Sequence, residues 1–390
     1  MSRDAAPASG SEDKTAQTIK FALGLTHACN MGCRYCYAGR SSKPDISLPV
    51  LRQAIQFFWN QSKEGDLLEI GFFGGEPLLR PDLIRHAVTM VNEQQQSSPR
   101  RVTYQLTTNG TLLNNAMLDL IQEEGIAVCV SLDGPPDIQD FNRPLRNGQG
   151  SSQLVMEHVR LALQRLEYLQ VNTVYGPDTL HQLPETLLFL QELGVSSIHF
   201  NPNIRADWAT VQREAIAEVF HHLADLYIQS YARGEEVGVN LLDSKILLYL
   251  KQGYTPADRC GMGRTEWAIA PSGNVYPCER LIGNDDNPAL QLGHVQGSVR
   301  TLPCPGSLTP PHRTQKAPTA PNCAQCPVQN YCMHWCGCTN FHLTGNAELP
   351  APIICALERA ALKAASHALN TLSEPENPLF VRHFMAFIQP

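Results

Sequence analysis

The sequence predicts an α/β protein, a partial (β/α)6, TIM-like barrel followed by a small, loop-rich module organised by cysteines. Three observations carry that prediction. Short apolar, β-branched runs alternate with helical-period segments from about residue 18 to 235. Between about 240 and 350 the chain shifts to Gly, Pro, Cys and Asn. The thirteen cysteines fall in two groups, Cys29, Cys33 and Cys36 in one and nine from Cys260 to Cys355 in the other, with Cys129 alone between them.

Taken in order, MSRDAAPASGSEDKTAQ carries acids and no apolar h-region, so residues 1–17 read as a disordered tail and not a signal peptide. The strands are TIKFALGLT (18–26), DLLEIGFF (66–73), RVTYQLTT (101–108), IAVCVSLD (126–133), QVNTVY (170–175) and SSIHFNP (196–202). Helical segments lie between them: LPVLRQAIQFFWNQSK, DLIRHAVTMVNEQQQ, NNAMLDLIQEEG, SSQLVMEHVRLALQRLEYL and LHQLPETLLFLQELG, each with apolar residues at three- and four-residue spacing. Six such units are two short of a closed eight-fold barrel, so the barrel is expected to be open, with its chemistry at the carboxyl ends of the strands. WATVQREAIAEVFHHLADLYIQSYARGEE reads as a long helix bridging to the second module, residues 236–372. LPCPGSLTPPHRTQKAPTAPNC is too Pro-rich for regular structure, and metal is expected to organise what a conventional core cannot. APSGNVYPC reads as a β-hairpin turning at SGN, and PIICALERAALKAASHALNTL as a final helix before a tail over 373–390.

Composition bounds the function. A chain of 390 residues, 43% hydrophobic and 17% charged, can build two or three domains without disulfide support. Its longest apolar runs are far too short for a membrane span. A net charge of −7 with no basic block argues against nucleic acid. A soluble, cytoplasmic protein is expected, and in a reducing compartment dense cysteine means metal or redox chemistry.

Cys29, Cys33 and Cys36 form CxxxCxxC in the loop after the first strand. Three thiolates on one short loop can hold an iron-sulfur cube and leave one of its four irons open to a small molecule. Zinc is the competing reading, with His27 as the candidate fourth ligand. FFGGEPLL places Gly74, Gly75, Glu76 and Pro77 at the end of the second strand, where Gly-Gly permits close backbone approach and a carboxylate can accept from an ammonium. LTTNGTLL and VSLDGPPDIQDFNRP end the third and fourth strands, with Asn109, Ser131, Asp133 and Arg143 as polar candidates; Arg143 suits a carboxylate. NG and DG are also ordinary turn signals. Asn201 and Asn203 end the sixth strand. Cys129 is expected as a small core hydrophobe.

CxxxCxxC followed by Tyr37, GGEP and a six-fold β-α pattern resembles the radical S-adenosylmethionine superfamily over about residues 18–235. The resemblance implies a [4Fe-4S] cluster on Cys29, Cys33 and Cys36 whose open iron binds S-adenosyl-L-methionine and generates a 5'-deoxyadenosyl radical. It also implies that Tyr37, Gly74, Gly75, Glu76, Pro77, Asn109, Ser131 and Arg143 line the cofactor, with Glu76 on the methionine ammonium. Downstream, Cys260, Gly273 and Cys278, then CAQCPVQNYCMHWC and Cys355, resemble the SPASM domain, an auxiliary-cluster extension found on peptide- and protein-modifying members. Carried over, that topology gives one [4Fe-4S] cluster on Cys323, Cys326, Cys332 and Cys355 and a second on Cys260, Cys278 and Cys336. No cysteine lies between 129 and 260, so the fourth position of the second is open among water, substrate, Asp258, Cys338 and Cys304. Trp335 is expected to shield a cluster, and His312, His334 and His342 to be solvated loop residues.

Auxiliary clusters offer an exit for the electron left when a substrate radical closes a bond, so the resemblance implies an oxidising radical SAM maturase of a ribosomally made precursor peptide. Thioether or carbon-carbon crosslinks are the expected products, and a flavodoxin or ferredoxin the expected electron donor. Only about 17 polar residues precede the first strand, so leader binding is expected from a separate protein or from docking at the module junction. The rival enzyme is an anaerobic sulfatase-maturating enzyme, which forms formylglycine from Cys or Ser. That family usually carries Gln and Asp where this chain has Phe73 and Glu279, although Glu279 can still serve as a catalytic base. A zinc-stapled, non-catalytic binding protein is the rival from another class.

Overall fold

The computed structural model describes residues 16–39, 44–302, 308, 322–373 and 376–388. Residues 1–15, most of the Pro-rich stretch, Cys304 and His312 lie outside them.

All six predicted strands form: β1 (Thr18–Thr26), β2 (Leu67–Gly74), β3 (Arg101–Thr108), β4 (Ile126–Ser131), β5 (Leu169–Tyr175) and β6 (Ser197–Pro202). They run parallel and pair in chain order. The crossovers carry α1 (Leu48–Gln61), α2 (Pro81–Ser97), α3 (Asn115–Glu123), α4 (Pro136–Asn142), α5 (Ser152–Arg165) and α6 (Leu183–Glu192), and α7 (Arg213–Ala232) follows β6. Ser47 and Asn114 cap α1 and α3 by accepting from the backbone N–H three residues on, which sharpens those starts. The α4 helix falls in the stretch expected only as a turn, because PDIQDFN starts with Pro at its first position and buries Ile138.

Alternation fixes the two faces of the sheet. Ile19, Phe21, Leu23 and Leu25 of β1 are buried against the helices, where Phe21 stacks on Phe58 with ring centroids 3.9 Å apart. Each such side chain contributes about 1.5–3 kcal/mol of burial. The concave face is polar instead. Lys20 and Glu69 pair at 3.0 Å there, and with Gln105, Thr107 and Glu266 they line a cavity of about 330 Å³. Cys129 is registered beside Thr107 and beside Gln170, whose Nε2 lies 3.4 Å from its Sγ, so it belongs to this face and not to the apolar core. Val128 and Val130 take the core positions in β4.

The cysteine-rich segment corrects the sequence reading in three ways. The stretch after residue 240 begins with a helix, α8 (Asn240–Lys251), preceded by the short edge strand β7 (Gly238–Val239) on β6. The hairpin forms as β8 (Glu266–Ile269) and β9 (Asn274–Tyr276), with β10 (Gly293–His294) added outside. Its turn closes on Gly273, which has the positive φ of +93° that favours glycine. β8 pairs parallel with β1, giving a ten-stranded sheet in which Trp267, Ile269 and Val275 join the main core. A conventional core therefore does extend into this segment. After α9 (Gly337–Thr344) and α10 (Pro352–Ser373), the expected tail contains α11 (Pro378–Ile388), held by Phe380 and Phe384. Phe380 meets Tyr231 edge-on at 5.5 Å, and this apolar pair is what the tail reading overlooked. No described helix is long and apolar enough to cross a membrane.

Candidate active site

The loop leaving β1 carries Cys29, Cys33 and Cys36 and is clamped from both sides. On one side Gly32 and Arg34 donate to the Pro144 and Asn142 carbonyls at 2.8 and 3.0 Å, and Arg146 donates to Asn30. On the other, the Gly75 and Glu76 amides donate to Thr26 and Ala28 at 2.8 and 2.9 Å. A Cβ on Gly74 would come within 2.3 Å of the Thr26 carbonyl oxygen, and one on Gly75 within 2.1 Å of that of Ala28. The close approach foreseen for the two glycines is thus an approach to the cysteine loop itself.

Glu76 is fully buried at the next position. Its carboxylate accepts from Leu78 N (3.0 Å), Thr108 Oγ1 (2.8 Å) and Asn109 N (2.7 Å), joining the ends of β2 and β3. Burial raises its pKa, against the pull of these donors. Pro77 opens a 3-10 turn, Pro77–Leu79, in which Pro77 and Leu78 are buried. Asn109 donates through Nδ2 to Asn30 Oδ1 at 2.9 Å and lies 3.8 Å from Cys29 Sγ. Ser131 ends β4, half-buried, opposite Asn172 of β5.

Arg143 is buried and donates to the Tyr35 hydroxyl at 2.7 Å, which in turn donates to Asp133 at 2.6 Å. Asp133 also accepts from Val174 N, and Arg143 Nε has no partner. Tyr35, a residue between two motif cysteines, had no signal of its own in the sequence; its role appears only when three strand ends meet. Burial raises the Cys29 and Cys33 thiols, and the Arg143 charge opposes this at Cys33. Tyr37 stacks on Phe73 at 5.9 Å, under the Arg205 guanidinium at 6.0 Å. Its phenol is held up first by burial and then by the charge of Glu279, which lines the same cavity of about 330 Å³.

Eight further thiols among the described residues lie around two cavities. Cys323, Cys326, Cys332 and Cys355 line one of about 640 Å³ with Arg213 and Arg359, whose Nη2 lies 3.2 Å from Cys326 Sγ. Cys260, Cys278, Cys336 and Cys338 line another of about 400 Å³ with Glu266, Glu279 and Arg280. Tyr35, Tyr37, Asn201, Asn203, Arg280 and Cys338 meet in a small pocket of about 70 Å³ between the first thiol loop and the second region. Lys251 pairs with Asp258 at 2.7 Å, and Asp258 does not line the four-thiol cavity. His334 and His342 line cavities beside thiols rather than standing in solvent, because the loop and α9 fold inward there. Trp335 packs edge-on to Tyr254 at 5.1 Å.

Residues 23–190 match the radical SAM superfamily. The chain thus carries a radical SAM domain over those residues. An uncharacterized protein of Methanocaldococcus jannaschii is 31% identical over 179 residues, 46% of this chain and 60% of that relative's length. A serine-type anaerobic sulfatase-maturating enzyme of Klebsiella aerogenes is 25% identical over 83% of this chain and 80% of its own. The PqqA peptide cyclase of Gluconobacter oxydans is 25% identical over 92% of this chain and 96% of its own. The structure of anSMEcpe with bound AdoMet and the Kp18Cys peptide superposes with a TM-score of 0.75 at 17% identity, covering 92% of this chain and 99% of that one. Streptococcus suis SuiB bound to its precursor peptide SuiA superposes at 0.58 and 14%, covering 87% and 76%. The shared fold therefore runs on through the cysteine-rich region.

A radical SAM domain calls for S-adenosyl-L-methionine and a [4Fe-4S] cluster, and the residues of this chain fit both. The soft thiols are gathered in three sets at cavities or strand ends, a donor type suited to iron-sulfur clusters. A buried carboxylate and a buried guanidinium with an unpartnered Nε flank the first set.

Proposed function

We propose that this enzyme oxidatively modifies side chains of a ribosomally made peptide, crosslinking them by thioether or carbon-carbon bonds. The observation that carries the reading is the small pocket in which Tyr35 and Tyr37 of the first thiol loop face Arg280 and Cys338 of the second region. A substrate held there lies between the radical source and the auxiliary thiols. Cys29, Cys33 and Cys36 would hold the cluster that binds S-adenosyl-L-methionine, and together the two supply a hydrogen-abstracting radical. Glu76 would take the methionine ammonium, with one acceptor position left beyond its three protein donors. Arg143 Nε is the donor for the carboxylate. Glu279, at the wall of the cavities of about 330 and 400 Å³, the first of which Tyr37 also lines, is the base for the substrate proton released as the bond closes. An external flavodoxin or ferredoxin supplies electrons, and a separate protein or the module junction takes the leader.

Formylglycine formation is a second reading, favoured by the near-complete fold match to anSMEcpe and by the sulfatase-maturating relatives. The test is anaerobic incubation with S-adenosyl-L-methionine, dithionite and short peptides encoded beside the gene. Wild type is expected to release 5'-deoxyadenosine, and the triple variant C29A/C33A/C36A none. A modified peptide that resists hydrazide capture supports crosslinking. An aldehyde trapped by hydrazide, on a sulfatase-derived peptide, supports formylglycine. No 5'-deoxyadenosine from iron-replete wild type overturns both.

A further inference from the structure

Cys338 lies in neither of the sets of thiols that the sequence motifs group together. In the fold it is the second residue of α9, two positions after Cys336, which is that helix's N-cap. Cys336 Sγ and Cys338 Sγ lie 3.8 Å apart. Cys260, Cys278, Cys336 and Cys338 all face the same cavity of about 400 Å³. Cys338 is buried, at 5% exposure, and Arg280 lines the same cavity as it and Cys278.

We infer that Cys338 is the fourth protein ligand of the auxiliary cluster on Cys260, Cys278 and Cys336, resting on the iron-sulfur reading of that cavity. Other candidates fit less well. Asp258 is engaged by Lys251, Thr255 N and Thr255 Oγ1 and does not line the cavity. Glu266 does line it, but its carboxylate is held by Cys260 Sγ at 3.2 Å and Gly261 N at 3.1 Å. Four thiolates complete a cubane's terminal ligands and leave no iron for a substrate atom. The cluster is then closed, even though Cys338 also forms a wall of the small pocket between the two regions. Substrate in that pocket meets the back of a ligand and not a vacant metal.

The test uses the full chain, reconstituted anaerobically in the C29A/C33A/C36A background so that only auxiliary clusters remain, at about eight irons. Mild ferricyanide oxidation strips an iron from a cubane with an open site and leaves a [3Fe-4S] spin, counted by electron paramagnetic resonance. With Cys338 present, no such spin is expected. Adding Cys338→Ala is expected to give about one spin per chain. A spin per chain already present with Cys338 in place, and unchanged by Cys338→Ala, overturns the assignment. So does its appearance in Glu266→Gln with Cys338 intact, which would make the carboxylate the ligand. Should Cys338→Ala fail to retain the cluster, Cys338→Ser decides. An altered reduced-state spectrum supports ligation, and an unchanged one opposes it. Stoichiometric zinc without iron in every variant sinks the underlying iron-sulfur reading instead, a result separable from any change at Cys338.

Discussion

Glu76 binds three protein donors with one carboxylate, so its substitution touches both fold and site. Glu76→Gln keeps the shape but turns an amide N–H2 toward donors, leaving at least one of them unmatched at a cost of about 1–3 kcal/mol. We expect a lower melting temperature and S-adenosyl-L-methionine binding weakened about tenfold or more by equilibrium dialysis. Unchanged binding would remove Glu76 from the ammonium role. Gly75→Ala makes a sharper separation. Its Cβ would meet the Ala28 carbonyl oxygen and displace the loop of Cys29, Cys33 and Cys36. Iron is expected to fall from about twelve to about eight per chain while the auxiliary signals stay. GGEP and the cysteine spacing were legible because each is a short run of unusual residues. Tyr35 meets Asp133 and Arg143 from a stretch about a hundred residues away, and no local pattern announces such a meeting. Cys129 misled for a simpler reason, since in an alternating strand one residue's shift in parity moves a side chain from core to lumen.

The six barrel strands were readable because each pairs an apolar, period-two run with a helical crossover. β7 to β10 span only two to four residues each, too short for periodicity to register. Helix docking is equally invisible in the sequence, and two contacts show its strength. Lys245 of α8 pairs with Glu358 of α10 at 2.7 Å with side chains 5% and 12% exposed, and Glu358 also accepts from Met333 N beside Cys332. Glu358→Ala strands a buried ammonium and is expected to cost about 3–5 kcal/mol by denaturant melts. The apolar pair Lys245→Met with Glu358→Leu should recover most of that loss. His383 of α11 reports on the other contact, with Nδ1 3.2 Å from Glu236 and Nε2 3.4 Å from Asp243. Burial lowers its pKa, but the two carboxylates outweigh this and raise it. The stabilisation is therefore complete below the unfolded value, about 6.5, and is lost as pH rises through the higher folded value. Thermal melts from pH 6 to 9 should show wild type losing stability relative to His383→Gln across that rise. Parallel curves would contradict the contact.

At the scale of the whole molecule, the two thiol regions share one sheet. β8 is hydrogen-bonded along β1 from Lys20 to Leu23, and β1 leads directly into the loop of Cys29. The hairpin that carries Cys278 is thus built onto the strand that delivers the first thiols, a nonlocal pairing across more than two hundred residues that composition could not reveal. Without β8, the β1 edge would present unpaired amides and carbonyls beside Phe21 and Leu23, an adhesive rim of the kind that nucleates aggregation. Residues 18–235 produced without the cysteine-rich region should accordingly come out of cells as inclusion bodies. An engineer wishing to swap cysteine-rich modules between such enzymes has to leave the joining strand with the barrel it completes, cutting after Glu266–Ile269 and not at the end of α7.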